Sequence, residues 1–225
     1  MDLVEALRTT GSARDFTDQP VDDATVAAIL DDARFAPSGG NRQPWRVAVV
    51  KDSAIRRSLA DLMTLVWHEY LGESADTSRA AFAFGRSTGA TPIVEPNPLL
   101  DDVEHVPVML AIAADLNKIA LMDANTSRPP LTAGGSIYPF CWSILLAARA
   151  RGLGGVMTTF LSRAEDAAAP QLGLPKDHAL AATVFLGYPT HLNTKLRRGA
   201  VSELATIDRF DGPPLADLSS GPTKV

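Results

Sequence analysis

The sequence predicts a domain in which helices and strands alternate, of either the α/β or the α+β class. Apolar residues recur at helical spacing in several segments, as Val26, Ile29, Leu30 and Ala33 do. Short, nearly continuous apolar runs lie between these segments and predict buried strands. The chain has 225 residues, 46% of them hydrophobic, which is enough for one sizeable core. A single domain over residues 1–225 is therefore expected.

Five segments are predicted to be helices. Asp2 and Asp22 stand just ahead of apolar periodicities, where a carboxylate can cap the first helical turn. The fourth helix is apolar nearly all round, which is typical of a helix central to a core or to an interface, and Pro139 lies in its first turn, where proline is tolerated. The helices are predicted at residues 2–9, 22–36, 52–66, 136–150 and 163–172.

Four segments are predicted to contain strands. Residues 45–50 and 106–114 are apolar enough to predict buried strands. Residues 153–160 form either a strand or a glycine-led turn, and residues 180–187 form the last strand.

Two regions depart from this alternation. Residues 72–105 are rich in small residues, charges and prolines; they predict one helix at about residues 76–86. The wider region 65–105 is expected to be either a lid or an ordinary surface insertion. The tail from residue 195 onward is polar and broken by prolines, which is typical of a segment that docks on another surface. Its apolar residues at helical spacing are Leu204, Ile207 and Phe210.

Composition and charge exclude several classes of function. The formal net charge is −5 and no run of Lys or Arg is present, so a nucleic-acid binder is not expected. The polar N-terminus lacks the apolar segment of a signal peptide, and no apolar run reaches the roughly 18 residues needed to span a bilayer. A cytoplasmic protein without membrane contact is expected. The single cysteine, Cys141, has apolar neighbours and is expected to be a buried, inert thiol.

Motifs for metal or phosphate chemistry are absent from the sequence. It contains no GxxxxGK[ST] phosphate loop and no HExxH, and the four histidines lack metal-ligand spacing, so no metal is expected. Three polar islands remain, at residues 9–14, 36–50 and 195–198. Two of them are cationic. They suit either the anionic tail of a cofactor that supplies the chemistry or an ordinary charged surface.

Five motifs follow one another along the chain. They are Gly-Ser-x-Arg-x-Phe at 11–16, Ala-Pro-Ser-x-x-Asn-x-Gln-Pro-Trp at 36–45, Gly-Leu-Gly at 152–154, Leu-Gly-Tyr-Pro at 186–189 and a basic tail at 195–198. In this order they resemble the FMN-dependent nitroreductase family, over roughly residues 3–210. The second motif is the most specific of the five.

The resemblance implies an α+β fold, with a mixed central sheet wrapped by helices, in an intertwined homodimer. Two FMN molecules would lie at the dimer interface, each contacted by both chains. The helix at residues 136–150 would belong to that interface. The C-terminal extension, about residues 195–225, would wrap the partner and add a strand to the partner's sheet.

The resemblance also implies which residues bind the flavin. Arg14 would lie at the pyrimidine edge, and the loop after residue 36 would reach the flavin held mainly by the other subunit. Gln43 and Trp45 would fix that loop rather than bind. The cofactor-binding residues implied are Ser12, Arg14, Pro37, Ser38, Gly39, Asn41, Thr158, Thr159, Lys195, Arg197 and Arg198.

One position departs from the family pattern. The family usually has an arginine ahead of the N-terminal serine, as a phosphate ligand, where this chain has Thr10 and Gly11. Lys195 and either Arg197 or Arg198 would then be the cations that meet the phosphate.

By this resemblance, NAD(P)H would give a hydride to N5 of FMN and a small acceptor, such as a nitroaromatic or a quinone, would take it in a ping-pong sequence. No protein side chain is expected to act as a catalytic acid or base. NADH and NADPH both remain open. Trp67, Phe82 and Phe84 are expected either to stack on an aromatic acceptor or to pack within the lid.

Two alternatives remain beside this function. One is a specialised relative, either a reductive dehalogenase or a flavin-cleaving enzyme. The other is a flavin-binding dimer without catalytic turnover.

Overall fold

An antiparallel sheet of four strands forms the centre of the first of two compact units, Met1–Thr194 and Lys195–Val225. The computed structural model describes residues 1–75 and 91–215. The strands are β1 (Trp45–Val49), β2 (Val108–Asp115), β3 (Gly154–Thr158) and β4 (His178–Gly187). They lie in the order β1-β2-β4-β3, so β1 and β3 are the two edges.

The described residues include eight α-helices. Asp2 and Asp22 accept hydrogen bonds of 2.8 and 2.6 Å from the backbone N–H groups of Glu5 and Thr25, which confirms both predicted caps. None of the described helices combines the length and the apolar character that crossing a membrane requires. The helices are α1 (Leu3–Thr9), α2 (Asp23–Ala33), α3 (Ser53–Ala75), α4 (Pro98–Asp101), α5 (Tyr138–Ala150), α6 (Phe160–Arg163), α7 (Glu165–Leu172) and α8 (Val201–Leu204).

Two apolar cores cover the two faces of the sheet. On one face α2 and α5 pack against β2 and β4, with Ile29 and Ile144 fully buried. On the other face α3 packs against the same strands, with Leu59 and Met63 fully buried. Cys141 belongs to the first core, and burial raises the pKa of its thiol to about 12, so the expectation of an inert thiol is confirmed.

Burial along the strands corrects one expectation. Strand β2 is buried from Val108 to Ala114, as its apolar run predicts. Strand β1 is not a buried strand: it lies at an edge, and Arg46, Ala48 and Val49 are exposed. An apolar run predicts a strand but not its neighbours, because the elements that cover a strand come from elsewhere in the chain.

Helix boundaries differ from the sequence prediction at three places. Helix α3 continues to Ala75, well past the apolar stripe, so the first part of the predicted lid is regular helix. The helix predicted at 163–172 is α7, which begins at Glu165 because the chain leaves helical geometry at Ala164; the short helix α6 before it was not predicted. The helix predicted at about 76–86 lies outside the described residues. Leu99 of the 65–105 region is buried in the second core, and its role as a lid stays a prediction.

A buried arginine fixes the start of α3. The Arg56 guanidinium donates hydrogen bonds to the backbone carbonyls of Val50 at 2.7 Å, Val106 at 2.6 Å and Pro107 at 3.4 Å. Burial lowers the pKa of Arg56. Because these carbonyls follow β1 and precede β2, they set the direction in which α3 crosses the sheet.

The described residues of the second unit, 195–215, contain one short helix and a closed turn. Helix α8 ends at Leu204, and Thr206 pairs with Pro214 in an isolated antiparallel bridge. The helical spacing of Leu204, Ile207 and Phe210 therefore does not correspond to one helix. Phe210 is fully exposed, as in a segment with an apolar side chain available to another surface.

Candidate functional site

The N-terminal segment lies along the outer edge of β3. Ser12 forms a parallel bridge with Gly155, and the N–H of Ala13 donates to the Gly155 carbonyl at 3.0 Å. Further on, the N–H of Thr17 donates to the Tyr188 carbonyl at 2.8 Å. Residues 12–17 thus extend the sheet by one irregular strand and place Arg14 beside β3.

Two glycines make this approach possible. A Cβ at Gly154 would lie 2.7 Å from the Cβ of Ala13, closer than carbon atoms can approach. A Cβ at Gly155 would lie 2.5 Å from Leu186 Cδ2 and 2.6 Å from the Phe185 carbonyl oxygen. The two glycines are therefore explained by backbone packing.

A cavity of about 480 Å³ opens beside this segment, on the face of the sheet that carries α3. Residues 156–160, from β3 and the start of α6, form one side. Trp67 and Tyr70 of α3 form the second, and residues 96–100 form the third. Arg14 contributes the only charged side chain among these lining residues.

Three aromatic rings form a cluster in the wall of the cavity. The ring centroids of Trp67, Tyr70 and Phe160 are 5.9 Å apart in each pair, with Trp67 stacked on Tyr70 and Phe160 tilted against both. Tyr70 lies three residues after Trp67, one turn further along α3. Such a cluster offers flat apolar surface to a planar ring.

Unpartnered polar atoms occur in the same wall. The indole nitrogen of Trp67 and the hydroxyl of Thr158 are buried and have no hydrogen-bond partner among the described residues. Thr183, directly opposite Thr158 on β4, has a buried hydroxyl without a partner as well. Buried polar groups are normally satisfied, so these three atoms, which have almost no accessible surface, lack a partner among the described residues; Thr183 does not line the cavity.

Arg14 separates two electrostatically different cavities. It is exposed and has no hydrogen bond or ion pair with any described residue. A second cavity of about 420 Å³ shares Arg14 with the first and is lined also by Asp15, Asp18, Asp101 and Asp102. An anionic group is attracted to Arg14 but repelled from this acidic side. The described residues contain no group of His, Cys, Asp or Glu side chains arranged for a metal ion.

The loop before β1 has an unusual and well-supported backbone. Gly40, Asn41 and Gln43 have φ values of 58°, 53° and 48°, in the left-handed region that few non-glycine residues adopt. The N–H of Gln43 donates to Ser38 Oγ at 3.0 Å, and Gln43 Nε2 donates to Asn41 Oδ1 at 3.1 Å. The hydrogen bonds of Gln43 therefore fix the shape of the loop, and loop residues 37 and 39–41 stay exposed.

This loop lies away from the cavity within one chain. The loop precedes β1, which lies at the opposite edge of the sheet from β3. The Trp45 ring that follows it stacks on Phe140 of α5 with ring centroids 4.7 Å apart, on the face of the sheet opposite α3. The N–H of Gly39 donates to Ser136 Oγ, just before α5, at 3.0 Å. Pro37, Ser38, Gly39 and Asn41 therefore do not line the cavity of their own chain.

Comparison with known proteins fits this arrangement. A model of the nitroreductase family matches residues 7–188 of the chain, most of its length. The chain belongs to the nitroreductase family. The match includes the N-terminal segment, the loop before β1 and all four strands.

Two relatives and one solved structure describe the likeness further. The chain is 30% identical to 5,6-dimethylbenzimidazole synthase of Rhodospirillum rubrum, over 78% of this chain and 76% of the relative. It is also 30% identical to NADH dehydrogenase of Thermus thermophilus, over 79% of this chain and 82% of the relative. The NADPH:FMN oxidoreductase of Vibrio harveyi, solved with NAD⁺, shares the fold with a TM-score of 0.66 at 20% identity, over 92% of this chain and 77% of that one.

The structure brings together some of the family's implied flavin residues. Arg14, Thr158 and Thr159 line one cavity, with the stacking candidate Trp67. Ser12 is exposed beside Gly155 without lining the cavity. The other two stacking candidates, Phe82 and Phe84, lie outside the described residues.

The positions that the family resemblance assigns to the flavin phosphate are residues 10 and 11 and residues 195–198. Thr10 is one of the two residues that stand ahead of Ser12, where the family usually has an arginine. Its hydroxyl donates to the Ala6 carbonyl at 2.7 Å, at the C-terminal end of α1. Lys195, Arg197 and Arg198 lie in the second unit, where Arg198 Nη1 donates to the Arg197 carbonyl at 2.7 Å. Their role at a phosphate stays a prediction.

Several cavity residues were not found from the sequence. Tyr70 could have been found by its spacing of three from Trp67 on a helix. Phe160 and Asn97 gave no signal, because their place in the wall depends on how α6 and the chain before α4 pack.

A buried carboxylate organises the loop ahead of α5 and was also missed. Asp123 accepts hydrogen bonds from the Leu131 N–H at 2.8 Å, the Thr132 hydroxyl at 2.6 Å and Arg128 Nη1 at 2.6 Å. The Leu131 bond, followed by the Thr132 bond, holds the pKa of Asp123 well below its usual range. The loop leads to Ser136, the residue that binds Gly39.

We expect Asp123→Asn to lower the melting temperature at pH 7, by an amount that shrinks as the pH falls below about 4. The folded-state pKa is depressed, so the stabilisation is complete above the unfolded pKa of about 4 and disappears as the pH falls through the folded value. Melting curves of both proteins between about pH 7 and pH 3 measure this. Asp31→Asn, at an exposed ion pair, is the control. A difference that stays constant with pH would contradict the assignment.

Proposed function

We propose that the protein is an FMN-dependent oxidoreductase that passes a hydride from NAD(P)H to a small acceptor such as a nitroaromatic or a quinone. The observation that carries this proposal is the cavity beside β3, where Arg14, without a partner among the described residues, adjoins an apolar wall rich in aromatic rings. Family membership and the names of the Thermus thermophilus and Vibrio harveyi proteins support the same chemistry.

The residues present fit a flavin. A planar ring system needs flat apolar walls, which the aromatic cluster supplies, and its polar edge needs a donor, which the exposed guanidinium of Arg14 would supply. Ser12 and Thr159 would add contacts along β3. When bound there, FMN would supply the redox chemistry by accepting a hydride at N5 and releasing it to the acceptor.

The chain's own residues would act by position and charge. Arg14 would hold the pyrimidine edge and stabilise negative charge that develops there. The aromatic wall would exclude water and align the nicotinamide or the acceptor, which use the cavity in turn. Among the residues that line the cavity, Arg14 stays charged and Tyr70 carries the one hydroxyl of a kind that serves as a general acid or base, so the chain would contribute mainly position and charge.

A second copy of the chain would complete the site. The loop carrying Pro37, Ser38, Gly39 and Asn41 is exposed but lies on the face opposite the cavity, so it would reach the flavin of a partner. In such a homodimer, Lys195 with Arg197 or Arg198 would meet the phosphate, replacing the arginine missing at Thr10 and Gly11. The tail, about 195–225, would wrap the partner and pair with its sheet.

The first test is the visible spectrum of the protein purified without added cofactor. We expect a yellow protein that releases about one FMN per chain, bleaches with NAD(P)H and regains its colour with menadione. A yellow protein that NAD(P)H does not bleach would favour the flavin-binding dimer without turnover. A colourless protein that also fails to take up added FMN would overturn the proposal.

Mixed dimers test whether two chains build each site. Arg14→Glu and Gly39→Phe should each weaken FMN binding about 10- to 100-fold, through loss of a charged contact and through bulk on the loop. Gly39 tolerates a side chain, since its Cβ would lie 3.5 Å from Ser136 Oγ, an ordinary contact. A dimer of one variant chain of each kind has one site with both defects and one with neither. We expect it to bind FMN at half the wild-type amount with wild-type affinity.

Differently tagged chains isolate the mixed dimer, and tagged wild-type pairs are the control. If Arg14 and Gly39 of the same chain served one flavin, both sites of the mixed dimer would be defective and no tight binding would return. That result would contradict the two-chain site.

A second candidate function comes from the Rhodospirillum rubrum relative, a 5,6-dimethylbenzimidazole synthase. The dimethylated ring of a flavin, with its two attached nitrogens, has the substitution of that product, so a flavin-cleaving enzyme would use the same cavity. Chromatography of a reaction containing FMN, NAD(P)H and oxygen separates the two functions. Intact FMN with consumed acceptor supports the oxidoreductase, and 5,6-dimethylbenzimidazole supports the synthase.

A further inference from the structure

The segment at residues 91–97 lies along the C-terminal half of α3. The N–H of Ile93 donates to the His68 carbonyl at 3.0 Å, and His68 Nε2 lies 3.2 Å from the Glu95 carbonyl oxygen. The segment then enters the wall of the cavity at Pro96 and Asn97. Helix α3 therefore supports the wall that faces its own aromatic side chains.

Gly72 is the point of closest approach between α3 and this segment. A Cβ at position 72 would overlap the Thr91 carbonyl oxygen and would lie 3.0 Å from the Thr91 carbonyl carbon and 3.2 Å from Pro92 Cα. All three are backbone atoms, so no side-chain rotation could relieve the overlap. Glycine is unfavourable inside a helix, and the close approach explains its presence in α3.

We propose that Gly72 is a positioning residue that sets the width of the acceptor subsite, an inference that rests on the proposed oxidoreductase function. Trp67 and Tyr70, within the two turns before Gly72, form one side of the cavity, and Pro96 and Asn97, just after the segment, form another. The distance between α3 and the segment at Gly72 therefore fixes the distance between these two sides. Gly72 itself does not line the cavity.

Gly72→Ala tests the proposal. The added methyl group pushes residues 91–97 away from α3 and separates the two sides of the cavity. We expect the ratio of kcat/KM for menadione, a two-ring quinone, to that for 1,4-benzoquinone to rise about tenfold, because small displacements at a pocket wall change productive alignment by such factors. Gly135→Ala is the matched control, since its Cβ would have no neighbour within 4 Å.

Two further measurements make the result decisive. FMN content per chain should stay unchanged, because the β3 side of the cavity is untouched. Hydrogen exchange followed by mass spectrometry should show faster exchange in residues 91–97 of Gly72→Ala. If this variant does not fold, His68→Ala, which removes only the side-chain contact with Glu95, should change exchange and ratio in the same direction.

The outcomes separate this inference from the proposed function. Faster exchange with an unchanged acceptor ratio would reduce Gly72 to a packing role and overturn the inference, and so would an unchanged exchange rate. A wild-type protein that takes up no FMN and oxidises no NAD(P)H would instead overturn the oxidoreductase function, while exchange in residues 91–97 would still report on Gly72.

Discussion

The contact on which the candidate site depends is the packing of the N-terminal segment against β3. Gly154 and Gly155 allow the backbone of residues 12–17 to lie closer than any side chain would permit. That contact covers the free edge of β3, which would otherwise present unpaired backbone groups. It also carries Arg14 to the cavity without a helix or a long loop. The cation is therefore held by sheet-like pairing, and its place does not depend on the conformation of a surface loop.

One edge strand of the sheet, β3, is covered by another segment of the chain, and the other, β1, is not. This difference favours the proposed two-chain assembly. The N-terminal segment covers β3, whereas no strand among the described residues pairs with the outer edge of β1. Beside β1 lies the loop with Gly40 and Asn41, whose strained backbone is held by its own hydrogen bonds. Strain of this kind is retained where the surrounding structure enforces it, often at binding sites. An open strand edge beside an exposed loop would suit the neighbour that the proposed homodimer supplies.

Much of the fold could be predicted from the sequence, because helices and strands follow from local periodicity and local caps. Asp2 and Asp22 mark helix starts correctly, and the run at β2 predicts a buried strand. The edge position of β1 could not be predicted, since Trp45–Val49 has the composition of a central strand. The break at Ala164 also carries no strong local signal. Both depend on contacts with parts of the chain that are distant in sequence.

The site was predictable in part. Arg14 belongs to a motif, Thr158 and Thr159 are implied by the family resemblance, and Trp67 was a candidate for stacking on an acceptor; the fold places all four in one cavity. No sequence signal marks Phe160 or Gly72. Phe160 reaches the cavity wall through the packing of α6, and Gly72 is inferred to act because it has no side chain. Distance along the chain hides such roles: Gly72 meets Thr91 only because α3 and the segment after it run side by side.

Charge limits how an anionic ligand can lie in this site. The cavity beside β3 has one cation, Arg14, whereas the adjoining cavity has four aspartates. If the proposed flavin binds here, its polar edge would be attracted to Arg14 and its anionic tail repelled by the aspartates. Thr10, four residues before Arg14, donates its hydroxyl to the Ala6 carbonyl and brings no positive charge. In the proposed function, the charge that such a tail requires would come from Lys195 with Arg197 or Arg198.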